Sequence, residues 1–139
     1  MVIDTSAVIA ILAQENDAER LADAISLDEV RLVSAATLTE AGIVATVLFG
    51  EGGGADLDDL LEEMQVEVVP LTRDHSRLAR EAFAQYGKGR HPARLNFGDC
   101  FSYALAKASG APLLFKGNDF SQTDVKVVSL AVPAAERGP

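Results

Sequence analysis

Four acids stand at positions from which one cation could be held: Asp4, Glu40, Asp99 and Asp119. Asp4 follows directly on the apolar start Val2-Ile3, and Asp119 comes shortly after Leu113-Leu114-Phe115. Glu40, flanked by Leu38 and Ala41, sits in a stretch almost free of other charge, and Asp99 opens the segment Gly98-Asp99-Cys100-Phe101. Carboxylates held close repel, so one or more must take up a proton unless a divalent ion lies among them. Their oxygens suit hard ions, magnesium and manganese. A metal so held lowers the pKa of bound water, and a second ion about 3.5–4 Å away stabilises the leaving oxygen of an in-line displacement at phosphorus. Four acids carry enough charge to neutralise two divalent ions. This chemistry fits a nuclease. It also fits a metal-dependent phosphatase or phosphotransfer domain using Asp4 as nucleophile, although such enzymes commonly carry a second Asp where this chain has Ser6. Taken singly, each acid has an ordinary explanation. Asp4 can cap a turn, Asp99 can be an N-terminal helix acid, Glu40 can be exposed, and Asp119 can belong to a turn with Gly117-Asn118.

The elements around the acids decide whether they meet. Val2-Ile3 reads as a strand, as do Val30-Leu32-Val33, Val66-Val68-Val69 (ended by Pro70), Leu113 to Phe115, and a last one at Val125, Val127 and Val128. Helices read from Asp17 to Ala24, from Ser34–Thr37 to about Phe49, from Asp56 to Met64, from a cap at Thr72 or Asp74 to Tyr86-Gly87, and from Gly98 to Ser109. Leu38, Ala41, Val44, Ala45 and Leu48 mark the inner face of the second of these, Leu78, Ala79, Ala82 and Phe83 that of the fourth, and Phe101, Ala104, Leu105 and Ala108 that of the last. The glycines from Gly50 to Gly54 lack the Gly-Lys-Ser/Thr ending of a phosphate loop and read as a flexible helix connection. Strands alternating with helices predict a parallel sheet covered on both faces. In such sheets ligands bind beyond the carboxyl ends of the strands, where Asp4, Asp119 and the starts of the helices carrying Glu40 and Asp99 converge. Thr5 and Ser6 are placed to orient a bound water or a phosphate.

The bulk numbers fit one compact domain over 1–133, with a flexible tail over 134–139. The chain has 139 residues, 48% hydrophobic and 24% charged. One cysteine, Cys100, excludes an internal disulfide and a cysteine zinc site, and reads as a small buried residue. His75 and His91 stand apart, without ligand spacing, and read as surface residues. No apolar run reaches the roughly 18–20 residues that span a bilayer, and no signal peptide opens the chain, so a cytoplasmic, membrane-free protein is expected. The net charge of −9 is unevenly spread. Residues 1–72 hold two cations, Arg20 and Arg31, against 15 acids, a balance of −13. Residues 73–139 hold ten cations and six acids, a balance of +4. The second half could hold a polyanion, with Arg90, Arg94 and Lys116 as candidate RNA phosphate contacts.

In four segments the chain resembles the PIN-domain nucleases, specifically the VapC toxins of bacterial toxin–antitoxin pairs. They are the opening Met1-Val2-Ile3-Asp4-Thr5-Ser6-Ala7, then Thr39-Glu40-Ala41, then Leu95-Asn96-Phe97-Gly98-Asp99-Cys100-Phe101-Ser102-Tyr103-Ala104-Leu105-Ala106, and finally Leu113-Leu114-Phe115-Lys116-Gly117-Asn118-Asp119-Phe120. The resemblance implies a three-layer α/β/α sandwich with a central parallel sheet. It implies a magnesium- or manganese-dependent endoribonuclease, a homodimer, and a cognate antitoxin that blocks the site, often with a basic side chain placed among the acids. It also implies that Thr5 or Ser6 and Asn96 support the carboxylates. One departure is Gly117, where many relatives carry a further acid; Asp124 could compensate as an outer group.

Overall fold

A computed structural model of the chain describes residues 1–130; the expected tail over 134–139 lies outside these. The described part begins with β1 (Val2–Ile3), α1 (Thr5–Leu12), α2 (Ala18–Leu27), β2 (Leu32–Ser34), α3 (Ala35–Phe49) and α4 (Gly53–Glu63). It continues with β3 (Glu67–Val69), α5 (Arg73–Tyr86), α6 (Phe97–Ser109), β4 (Leu113–Leu114) and a short 3₁₀ turn at Phe120–Gln122. The strands form one parallel sheet in the order β3-β2-β1-β4, with Val2 beside both Leu32 and Leu113 and Ile3 beside Leu114.

Alternate strand residues feed opposite faces. Ile3, Val33 and Leu114 pack with Ala7, Val8, Leu21, Ile25, Ala41, Ala45, Leu57 and Leu61 under α1 to α4. Val2 and Leu113 pack with Ala79, Ala82, Tyr103, Ala104, Leu105 and Phe120 under α5 and α6. The result is the expected three-layer α/β/α sandwich. Each fully buried aliphatic side chain contributes about 1.5–3 kcal/mol. The chain moves from β1 outward to β2 and β3, then returns to place β4 on the other side of β1. The carboxyl ends of β1 and β4 therefore flank the point where strand order reverses, which is where open α/β sheets bind ligands.

Caps set the starts of the helices that matter for the site. Asp4 accepts the Ser6 N–H at the start of α1, and Ser34 accepts the Ala36 N–H at the start of α3. Thr72, rather than Asp74, caps α5 through the His75 N–H. Asn96 and Asp99 form a reciprocal capping box on α6.

Several expectations are corrected. Val125, Val127 and Val128 do not form a strand: one bridge, Leu113 to Val127, lies beside a β4 too short to support a longer ladder. The glycine run is tighter than a flexible connection, because α4 starts at Gly53, where a Cβ would fall 2.3 Å from the Ala45 carbonyl oxygen. Leu48, Phe83 and Ala108 point outward. α3 is apolar on more than one face, and its last turns run beyond the layer that buries Ala41 and Ala45, leaving Ile43, Val47 and Leu48 exposed. Among the described residues, no helix is long and apolar enough to cross a membrane.

Candidate metal centre

Asp4 leaves β1 at its carboxyl end, almost fully buried. Its Oδ2 accepts the Ser6 N–H at 3.0 Å and the Ser6 hydroxyl at 2.7 Å, while its Oδ1 accepts the Ser102 hydroxyl at 2.6 Å. Ser6 Oγ also accepts the Lys116 N–H, which ties the segment after β4 to the same point. The next residue, Thr5, donates its hydroxyl to Glu40 Oε1 at 2.6 Å. Thr5 and Ser6 thus each hydrogen-bond to a carboxylate, Thr5 to Glu40 and Ser6 to Asp4.

Glu40 reaches α6 across the end of the sheet. Its carboxyl lies over Gly98, where a Cβ would stand 1.7 Å from Oε2. Only a residue without a side chain leaves room for the Glu40 carboxyl at this point. Asp99, next in the chain, accepts the Asn96 N–H on Oδ2 at 3.0 Å, and Asn96 accepts the Asp99 N–H in return. Asn96 therefore fixes the Asp99 side chain through the cap. Asp119 is exposed, at the start of the 3₁₀ turn after β4, with no side-chain capping bond.

The charges of the other three acids all reach Asp99. Burial pushes its carboxyl from 3.8 up to about 7; the Asn96 N–H pulls against this, and the charges of Asp4, Asp119 and Glu40 add to it. As placed, however, no three acid, imidazole or thiol groups among the described residues close tightly enough to hold a metal ion. The acids gather at the carboxyl end of the sheet, near enough for the charges of Asp4, Asp119 and Glu40 to act on Asp99. The donors are all hard oxygens, and each of three acids is oriented by a hydroxyl or an amide N–H, so the chemistry suits magnesium or manganese.

The other candidates fall in different places. Arg94 is exposed, adopts φ +56°, and forms no ion pair with a described residue; Arg90 lies 5.8 Å from the centre of the Phe83 ring. Lys116 is already paired, with Glu15 at 2.6 Å and Asp17 at 4.0 Å, so its ammonium is less free for RNA than its position suggested. Asp124 is not an outer group of the centre. It accepts the Tyr103 hydroxyl and Lys107, which together hold its carboxyl below the usual range. Gly117 has φ +105°, so an acid in this position would be strained. Cys100 is buried, and burial raises its thiol to about 11, consistent with an inert packing residue. His75 and His91 are both half-buried rather than on the surface, and His91 Nδ1 accepts the Ala93 N–H. Two residues at the centre were not singled out by sequence: Ser102, and Thr37 behind it at 3.2 Å.

An α/β sandwich with acids gathered at its strand-order reversal defines a class, and the chain matches the PIN domain family model over residues 1–126; it belongs to that family. Within it, the chain groups with the VapC ribonucleases. It is 55% identical over 128 residues to ribonuclease VapC of Mycolicibacterium smegmatis, covering 92% of this chain and 99% of that protein. Solved structures agree in fold. The sarcin-ricin loop cleaving toxin VapC20 of Mycobacterium tuberculosis superimposes with a TM-score of 0.75 at 22% identity, over 91% of this chain and 97% of that one. A toxin–antitoxin complex from Klebsiella pneumoniae gives a TM-score of 0.67 at 15% identity, over 91% and 95%. These relatives support the nuclease reading over the phosphotransfer alternative.

Proposed function

We propose that this VapC ribonuclease is a toxin that cuts RNA internally with magnesium or manganese held by Asp4, Glu40, Asp99 and Asp119. The observation that carries the reading is the gathering of these acids at the carboxyl end of the sheet, where Asp4, Glu40 and Asp99 are each oriented by a hydrogen bond and the other three charges reach Asp99. A divalent ion held by them would supply an acidified water for attack on phosphorus and neutralise charge on the scissile phosphate. The chain's own residues supply the geometry. Ser6 and Ser102 fix the Asp4 carboxylate, Thr5 fixes Glu40, and Asn96 fixes Asp99. Asp4 and Asp99 form the main ligands, with Glu40 and Asp119 completing the set. Arg90 and Arg94, on the loop leading into α6, hold flanking RNA phosphates.

The same reading gives the protein a cognate antitoxin in the cytoplasm. The balance of −13 over residues 1–72 suits a basic antitoxin segment that reaches the acids. It also gives a homodimer, supported by the apolar surface of Ile43, Val47 and Leu48 on α3 and by Phe97, 79% exposed at the start of α6. The test is RNA cleavage by purified Asp4→Asn and Asp99→Asn proteins with a wild-type circular dichroism spectrum. Both are expected to lose cleavage, and chelation is expected to abolish wild-type activity until magnesium or manganese is restored. Full activity in both variants removes the mechanism.

A further inference from the structure

Behind the acids lies a buried polar chain that packing alone does not require. Ser102 is 0% exposed, Thr37 1% and Asp4 3%. Ser102 Oγ stands 2.6 Å from Asp4 Oδ1 and 3.2 Å from Thr37 Oγ1. A serine hydroxyl has one proton to give, and an ionised carboxylate only accepts. Ser102 therefore donates to Asp4, and Thr37 donates to Ser102. The chain runs one way, from α3 through α6 to the end of β1.

Its placement ties it to the other acids. Thr37 precedes Glu40 by one turn on α3, and Ser102 follows Asp99 by one turn on α6; residues at this spacing share a helix face. Each helix thus carries an acid and a hydroxyl side by side, and the two hydroxyls meet. The same two helices approach so closely at Gly98 that the Glu40 carboxyl occupies the space of a Cβ. A slip of one residue along either axis, about 1.5 Å, would separate both contacts. Apolar burial is non-directional and does not fix such a register; buried hydrogen bonds do, at 3.2 Å from Thr37 on α3 to Ser102 on α6 and at 2.6 Å from Ser102 to Asp4. Asp4 is also held from two sides, by Ser6 on α1 and by Ser102 on α6, which leaves its carboxylate one orientation.

We propose that Ser102 and Thr37 are positioning residues for cation binding: their hydroxyl chain sets α3, α6 and the end of β1 in the register that brings Asp4, Glu40 and Asp99 to one end of the sheet, from which a divalent ion would draw them together. This rests on the reading of the acids as a cation site, and the experiment separates the two. Neither residue touches RNA in this role, so the effect belongs to metal affinity rather than to substrate binding.

The test is calorimetric titration of manganese into the chelator-stripped full chain, for wild type, Ser102→Ala, Thr37→Val and Thr37→Ser, with circular dichroism for each. Loss of an outer-shell partner typically lowers metal affinity about 10–100-fold. Ser102→Ala is expected to weaken manganese binding by at least about tenfold with an unchanged spectrum. The manganese needed for half-maximal RNA cleavage should rise in parallel while KM for RNA at saturating manganese stays constant. Thr37→Val should weaken binding less, and Thr37→Ser, which keeps the hydroxyl, should restore it. Wild-type manganese affinity in Ser102→Ala overturns the proposal. If Ser102→Ala does not fold, wild-type affinity in Thr37→Val overturns it instead. A wild-type chain that binds no manganese at millimolar concentration overturns the cation reading itself, and this proposal with it.

Discussion

Replacing Asp99 by Asn should stabilise the cation-free protein while removing its activity. The Asp99 carboxyl ionises near 7 in the folded chain against an ordinary 3.8, because it is buried and faces Asp4, Asp119 and Glu40. The folded state holds this proton more tightly than the unfolded one, so stability falls as pH rises from about 4 to about 7 and stays low above that. At about 1.4 kcal/mol per pH unit, the full gap corresponds to about 4 kcal/mol. The carboxyl is only partly buried, and solvent screening reduces this to about 2 kcal/mol. An Asn side chain carries no charge, and its oxygen can still accept the Asn96 N–H that completes the helix cap. Asp99→Asn should therefore melt about 6 °C above wild type at pH 8 in chelator. The advantage should shrink by more than half at pH 5, where the wild-type carboxyl is protonated in the folded state. Adding manganese should raise the wild-type midpoint and close the gap, since a ligand stabilises only the form that binds it. Differential scanning fluorimetry across pH 5 to 8.5 measures all of this. An Asn variant no more stable than wild type at pH 8, or an advantage of equal size at pH 5, would show that burial and the neighbouring acids do not destabilise the Asp99 carboxylate.

Other perturbations read separate parts of the site. Gly98→Ala places a methyl 1.7 Å from Glu40 Oε2; Glu40 must swing away and lose its bond from Thr5. That should cost about 1–3 kcal/mol of stability and at least about tenfold in metal affinity, measured by thermal melting and manganese titration. Arg90→Ala and Arg94→Ala should each raise KM for RNA with kcat unchanged, and lower the slope of log affinity against log salt by about 0.7. Lys116→Ala should leave that slope unchanged, because its ammonium already pairs with Glu15 and Asp17. Val47→Glu puts a charge on a side chain 78% exposed on the apolar face of α3; sedimentation velocity should find wild type dimeric, as proposed, and the variant monomeric, with its circular dichroism spectrum unchanged.

What could be read from the sequence depended on whether a residue's role was set by its own neighbours or by distant ones. The alternation of apolar runs with helical spacing is enough for a parallel sheet covered on both faces, because such burial leaves continuous apolar runs in the strands; the three-layer α/β/α sandwich comes from the family resemblance. Asp4 and Asp119 were legible as acids just past strand ends, and Asp99 as an acid at a helix start, since the carboxyl edge follows from chain direction alone. The strand expected at Val125 to Val128 failed because β-pairing needs a partner of matching length, and β4 ends after Leu114. Leu48 is misplaced because α3 carries Ala41 and Ala45 on its buried side and Ile43 and Val47 on the exposed side, so its composition marks no single inner face. The ion pair of Lys116 is illegible locally because its partner, Glu15, is 101 positions away.

Ser102 and Thr37 were illegible for the same reason. A hydroxyl on a helix looks alike whether it faces solvent or core, and these two find each other across 65 positions and Asp4 across 98. Yet their spacing left a trace. Each lies one turn from an acid on a helix that starts at the carboxyl edge, and a small polar residue there must reach water, bond a carbonyl one turn earlier as Thr39 and Thr46 do, or find a partner at the site. Ser102, sealed from solvent, takes the last course, and a group satisfied inside a site also fixes that site's geometry.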